Sequence, residues 1–181
     1  RISSREIKDT NETNYFFHGA QFFTAKTKNF KRIVEQGIKN DFIKEFGNFH
    51  PPRFRGHKTM REFLTNLTVN LNVKQNKKIV GLKPSQKGIS VLKENIKTWQ
   101  NFDAVISTIP SPQNFSLMEK FPELQKTLDK SSYDSCIALM FSFNEIPKNI
   151  PIYFDINKKR GILSWMACGS NLNVWTAHTK G

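Results

Sequence analysis

Two cysteines, nine glycines and only 15 acidic residues in 181 positions leave several chemistries without their raw material. Two cysteines cannot build a disulfide framework. Cys136 and Cys168 each sit among apolar residues, "SCIALMF" and "WMACGS", so buried free thiols in a reducing compartment are expected, with a single disulfide as the alternative. The four histidines are scattered, and no metal-ligand spacing occurs. G-x-S-x-G, the P-loop pattern and G-x-G-x-x-G are all missing from these residues. No apolar run approaches spanning length, so no signal peptide or membrane segment is expected, and a cytoplasmic location is. The few carboxylates stand mostly beside lysines and read as solvated surface. Asp103 and Asp134 fall at strand starts, where capping is the natural role. No self-sufficient catalytic set is visible, and an enzyme built on this chain would take its reactive group from a cofactor.

What is present is positive charge and phenylalanine. The 28 basic residues give a net charge of +13 and a pI near 9.9, which suits an anionic partner. The lysines are spread through "KTKNFKR", "VKQNKK" and "INKKR" without forming one block, as compositional bias would also produce. Hydrophobic residues make up 38% of the chain and 16 of them are Phe, enough for one domain or two small ones.

Along the chain, Phe30, Ile33 and Val34 fall at helical spacing over 29–37, with Gly37 as a stop. "DFIKEF" reads as a short strand and "HPPRFRGHK" as a turn-rich connector. Thr59-Met60-Arg61-Glu62 reads as a capping box opening an amphipathic helix over 59–70. "NVKQ", "KKIVGLKP" and "GISVLKE" are three candidate strands. "FDAVISTIP" carries a continuous apolar centre, as in a strand buried on both faces. Ser111-Pro112 then offers an N-cap and an N1 proline for two short helices, 111–119 and 122–130. "SCIALMFSF", "IPIYF", "GILSWMA" and "NVWTAH" are strands. Trp165, Trp175, Phe141 and Phe143 are core material or a pocket lining, and His57 and His178 surface or capping histidines. These elements give an α+β or mixed α/β fold.

One stretch breaks its own pattern. "NYFFHGAQFFTA", 14–25, sets His18-Gly19-Ala20-Gln21 between aromatic flanks. A strand gains nothing from an interior Gly unless the backbone bends there or something comes very close. A bulge or tight turn satisfies this as well as a flat ligand does.

"RISSRE", "FFHGAQFFTAKTKNF", "GHKTMREFLTNL", "FDAVISTIPSPQ" and "YDSCIALMFSF" occur in the order and approximate spacing of a known family. Across nearly its whole length the chain resembles the renalase-like flavin amine oxidoreductases. Arg1, Ser3 and Arg5 resemble the end of that family's Gly-Gly-Arg-x-Ser-x-Arg. Phe17 to Ala25 is similar to its "DHGAQYFTA", and Asp103 to Gln113 to its "DAVVLAIPAPQ". Phe17 departs from the family's usual Asp, and Asn171 follows Ser170 where many relatives carry Lys-Pro-Gly-Arg.

The resemblance implies two interleaved regions. Residues 1–12 and 51–112 would form part of an FAD-binding α/β domain lacking its N-terminal Rossmann βαβ unit. Residues 13–50 and 113–181 would form a substrate domain on a mixed sheet with helices. It implies cofactor contacts from Arg1 and Arg5 toward the diphosphate and from Val73 toward the adenine. Ile109 and Pro110 would line the cofactor where their strand ends, and Gly19, Ala20, Gln21 and Phe22 would pass the isoalloxazine ring. The implied chemistry is hydride transfer from a reduced dihydronicotinamide- or amine-type small molecule, such as an NAD(P)-derived one, to FAD, with reoxidation by dioxygen. Without the glycine-rich loop the chain is expected to hold FAD weakly or not at all and to be inactive alone. The alternative is a non-catalytic basic module binding a protein or nucleic acid, for which aromatics beside lysines would serve single strands.

Overall fold

Short sequence-adjacent strands joined by tight turns pair antiparallel, because parallel pairing needs a long crossover. The computed structural model, which describes residues 2–8, 13–156 and 161–181, is accordingly α+β. Every strand pairing among the described residues is antiparallel. The expected mixed sheet is corrected by this. The chain packs as two compact units, Arg1–Asn72 with Ser135–Gly181, and Val73–Asp134.

In the first unit, β1 (Arg5–Lys8) and β2 (Thr13–Phe16) form a hairpin in which Arg5 faces Phe16. Helix α1 (Lys28–Lys39) starts at Thr27, whose Oγ1 accepts from Phe30 N at 3.3 Å. Its expected stop, Gly37, lies inside the helix, and Asn40 caps it instead. Gly37 is buried against Ile43, whose Cδ1 would lie 2.3 Å from any added Cβ. The glycine serves close approach, not termination.

β3 (Ile43–Glu45) pairs with β4 (Phe54–Gly56), so the expected connector carries a strand. Helix α2 (Met60–Leu67) comes next. Thr59 Oγ1 accepts from Glu62 N at 3.1 Å, and Glu62 reaches back to Lys58 N at 2.7 Å, one residue beyond the usual capping box. Val34, Ile43 and Phe63 are buried together with Phe23, Phe30 and Phe54 around them, and Phe23 stacks on Phe63 at 4.7 Å. Each such fully buried side chain is worth about 1.5–3 kcal/mol.

The second unit is a meander of β5 (Ile79–Ser85), β6 (Gly88–Lys93) and β7 (Gln100–Phe102), then α3 (Ser111–Asn114), a 3₁₀ turn at Ser116–Met118, and α4 (Pro122–Asp129). Leu82, Val91 and Met118 form its core. "NVKQ" is not a strand, whereas the polar 100–102 is. The expected buried strand over "FDAVISTIP", 102–110, is overturned beyond Phe102, where β7 ends. Residues 104–108 pair with nothing as a strand, and Ile106 is 90% exposed. An apolar run becomes a buried strand only between neighbours, and the β5-β6-β7 sheet sets none beside it. Pro110, not Ser111, holds the cap position of α3, with no side-chain cap bond.

The chain then returns to the first unit with β8 (Ala138–Ser142), β9 (Tyr153–Asp155), β10 (Leu163–Cys168) and β11 (Val174–Thr179), in sheet order β8-β11-β10-β9. β11 is paired on both sides, and Val174 to Ala177 are buried. Phe46, Ala167, Cys168 and Trp175 make the core beneath. Among the described residues no helix is long and apolar enough to cross a membrane.

Candidate functional site

The Gly-Ala-Gln interruption is a turn that folds around its own glutamine. β2 ends at Phe16, and Phe17 is fully buried. Gln21 is 5% exposed, and its Nε2 donates to Phe17 O and, at 3.1 Å, to Gly19 O. The chain regains strand pairing only at Phe23, which bridges Phe54. Gly19 N donates to Ser3 O at 3.2 Å, and Ser3 Oγ lies 2.7 Å from His18 Nε2. The segments "RISSRE" and "HGAQ" therefore meet. Gln21 Oε1 and His18 Nδ1 are buried with no protein partner, unusual for groups that cost free energy when left unpaired.

Beside this turn lies an unusual concentration of cations. Paired residues of antiparallel strands share a face, and alternate residues repeat it. Lys44 faces Arg55, and Phe46 N bonds Arg53 O, so Lys44, Phe46, Arg53 and Arg55 occupy one face of the β3–β4 hairpin. Ile43 and Phe54 occupy the other, against the helices. The Arg53 guanidinium lies over Phe22 and Phe49, each at 4.1 Å, and over Tyr153 at 4.7 Å. Phe22 stacks on Phe46 at 5.8 Å, and Arg55 lies over Phe46 at 4.8 Å and Phe17 at 5.2 Å. Cations and rings alternate through the stack, each such contact worth about 0.5–2 kcal/mol.

Arg55 is buried and donates from Nη1 to Gly169 O at 2.9 Å and Cys168 O at 3.4 Å. Its Nε and the Nη1 of Arg53 are buried without a partner. None of the ion pairs among the described residues includes Lys44, Arg53 or Arg55. Burial, with Arg55 opposite, pushes the Lys44 ammonium below its ordinary pKa, and burial does the same to Arg55. A guanidinium remains charged regardless. Glu62 and Asp41 partly offset the charge of Lys44, but Arg55 is buried with no carboxylate among the described residues paired to it. Such a charge is costly, and a carboxylate or phosphate supplied by a ligand would relieve it.

The expected cofactor residues divide between the units. Gly19, Ala20, Gln21 and Phe22 line the turn just described. The side chain of Gln21 is committed inward, and Phe22 is packed against Phe46 and Tyr153. Arg5 is exposed on β1. Arg1 lies outside the described residues. Val73, Ile109 and Pro110 belong to the second unit. Val73 is 51% exposed, and Ile109 lines a small groove of about 180 Å³ with Val105, Ile106, Leu82 and Leu117.

Of the aromatic candidates, Trp175 is core, its Nε1 donating to Leu172 O at 2.8 Å, and Trp165 stacks on His178. Arg53, just ahead of β4, and Arg55 within it escape a sequence reading because His50-Pro51-Pro52 gives their segment the look of a turn. The period-2 run Arg53-Phe54-Arg55-Gly56 is the one signal that marks a strand there. Cys136 also departs from expectation. It is exposed and Cys168 buried, both free. Neither a scan against protein-family models nor a search of curated proteins finds a match to this chain.

Proposed function

We propose that the chain is part of a flavin-dependent oxidoreductase of the renalase-like kind, with the turn at Gly19–Phe22 forming one wall of the cofactor seat. The observation that carries this reading is the meeting of "RISSRE" with "HGAQ" through Gly19, Ser3 and His18. These are two of five sequence elements whose order resembles that family, and both are elements it uses beside its flavin.

The residues present fit a flat heteroaromatic ring better than they fit a diphosphate. His18 Nδ1 is a buried polar atom without a protein partner beside a small-residue backbone, which a ring bearing donors and acceptors can satisfy. When bound, FAD would supply hydride acceptance from a dihydronicotinamide- or amine-type substrate and return electrons to dioxygen. The chain's own part is to position and to exclude water. Gly19-Ala20 allows close backbone approach, and Phe22 and Phe46 keep one side dry. Arg53 and Arg55 favour a substrate that carries a carboxylate or phosphate.

Thermal unfolding with added FAD tests the reading. At about ten times its Kd a ligand stabilises the native state by ~1.4 kcal/mol, a shift of a few degrees. We expect such a shift only at high FAD concentration, and expect Gly19→Val to remove it. No shift with FAD or NAD-type ligands, together with salt-sensitive binding of a single-stranded oligonucleotide, would favour the basic-module reading. Purified protein carrying stoichiometric FAD would overturn the expectation of weak holding.

A further inference from the structure

The two thiols of the first unit have opposite surroundings, and one of them is paired with a base. Cys136 lies just ahead of β8, where the chain is clamped to the end of β11. Ile137 N donates to Thr179 Oγ1 at 2.9 Å, and Thr179 N donates to Ile137 O at 3.0 Å. The clamp brings Cys136 Sγ to 3.8 Å from Nδ1 of His178, within reach of a weak S–H···N bond.

Two further contacts hold the imidazole. Trp165 stacks on it with ring centroids 4.1 Å apart and planes at 28°. His178 Nε2 lies 3.1 Å from the backbone oxygen of His18. A carbonyl only accepts, so Nε2 carries the hydrogen and Nδ1 turns its lone pair toward the thiol. Burial pushes the His178 pKa below its ordinary value, which keeps the imidazole neutral and able to accept. Thiol, acceptor nitrogen and an orienting group on the far nitrogen make the arrangement that activates a nucleophile.

We propose that Cys136 and His178 form a thiol–imidazole pair that makes Cys136 a site of mixed-disulfide formation with small-molecule disulfides. The Cys136 proton passes to His178 Nδ1 as the sulfur attacks one sulfur of the disulfide. A new S–S bond forms and the old one breaks. The departing thiolate takes the proton, so one thiol and one disulfide yield one thiol and one mixed disulfide. This inference does not depend on the flavin reading, since it uses neither a cofactor nor the cationic hairpin.

Cys168 is the internal control. It is 3% exposed, and burial pushes its thiol pKa up although Arg55 and Lys44 pull the other way. The test measures labelling of each cysteine by DTNB and by oxidised glutathione, resolved by peptide mass spectrometry, in the folded chain and in the chain unfolded by urea. Rates are normalised to Cys168 in the unfolded chain. Cys136 is expected to react about tenfold faster folded than unfolded, less than the roughly 100-fold of a sequestered general base because solvent competes. Cys168 is expected to be protected when folded. His178→Gln should remove the excess at Cys136 without exposing Cys168, whose continued protection reports that the variant is folded. Trp165→Phe, which keeps a ring beside the imidazole, should retain most of it. Equal rates for Cys136 in folded and unfolded chains, or an excess that survives His178→Gln, would overturn the proposal.

Discussion

β11 and the stretch 104–109 are built from similar material and end in opposite environments. Val174-Trp175-Thr176-Ala177 sits between β8 and β10 and is buried throughout. Ala104-Val105-Ile106-Ser107-Thr108-Ile109 is no less suited to a strand. Yet it has no strand beside it and leaves Ile106 almost wholly in water. Composition supplies the capacity to be a strand, and an available edge decides whether that capacity is used. β11 finds two edges because β10 reaches it through a tight turn closed by Gly169 N to Val174 O at 2.7 Å, and because β8 is anchored at Ile137.

Trp175→Ala should open the largest gap between the two regions, destabilising the first unit by about 3–5 kcal/mol, read from the urea midpoint. Gly56→Ala comes next. Its Cβ would fall 1.9 Å from the Thr59 carbonyl oxygen, and the resulting backbone shift should cost roughly 2–3 kcal/mol. Thr59→Ala removes the hydroxyl that accepts from Glu62 N and should cost about 1 kcal/mol.

A smaller effect concerns pH. The folded pKa of His178 is lowered, by burial first, so the unfolded chain binds that proton more readily. The stability this neutral imidazole contributes is complete above about pH 6.5, the unfolded value, and is lost as pH falls through and below it. His178→Gln should flatten that part of the acid limb, seen as a difference between the midpoints of the two chains. Smallest of all, Ile106→Ser should change stability by no more than about 0.5 kcal/mol. Amide exchange would sharpen the contrast, with β11 protected to the level of global unfolding and 104–109 exchanging freely.

Where local rules decide the outcome, the sequence is legible. The helical spacing over 29–37, the α2 cap at Thr59 and the strands β5, β6 and β8 to β11 follow from capping, periodicity and apolar runs. β1 and β7 escape because "REIK" and "QNF" carry little apolar signal and exist through pairing, whereas the aromatic flank at Tyr15-Phe16 marks β2. The reading of 104–109 fails for the converse reason, signal without a partner. Gly37 is misplaced because a glycine inside a helix for close packing looks the same in sequence as one that ends it. At the candidate site, the break in the strand at Gly19 is visible. The burial of Gln21 and the partnership of Lys44, Arg53 and Arg55 are not, because both depend on which strands meet.

The β3–β4 hairpin keeps apolar and cationic side chains apart by parity alone. Ile43 and Phe54 count as one phase, Lys44, Phe46, Arg53 and Arg55 as the other. Deleting a single residue ahead of Ile43 or between Phe46 and Arg53 would exchange the phases of one strand. Charges would then enter the helical core while an isoleucine or phenylalanine replaced them beside Gly169. Removing two residues preserves the parity and threatens only the reach of the loop. The hairpin is thus a frame-reading device, indifferent to many substitutions on its surface and intolerant of an odd step.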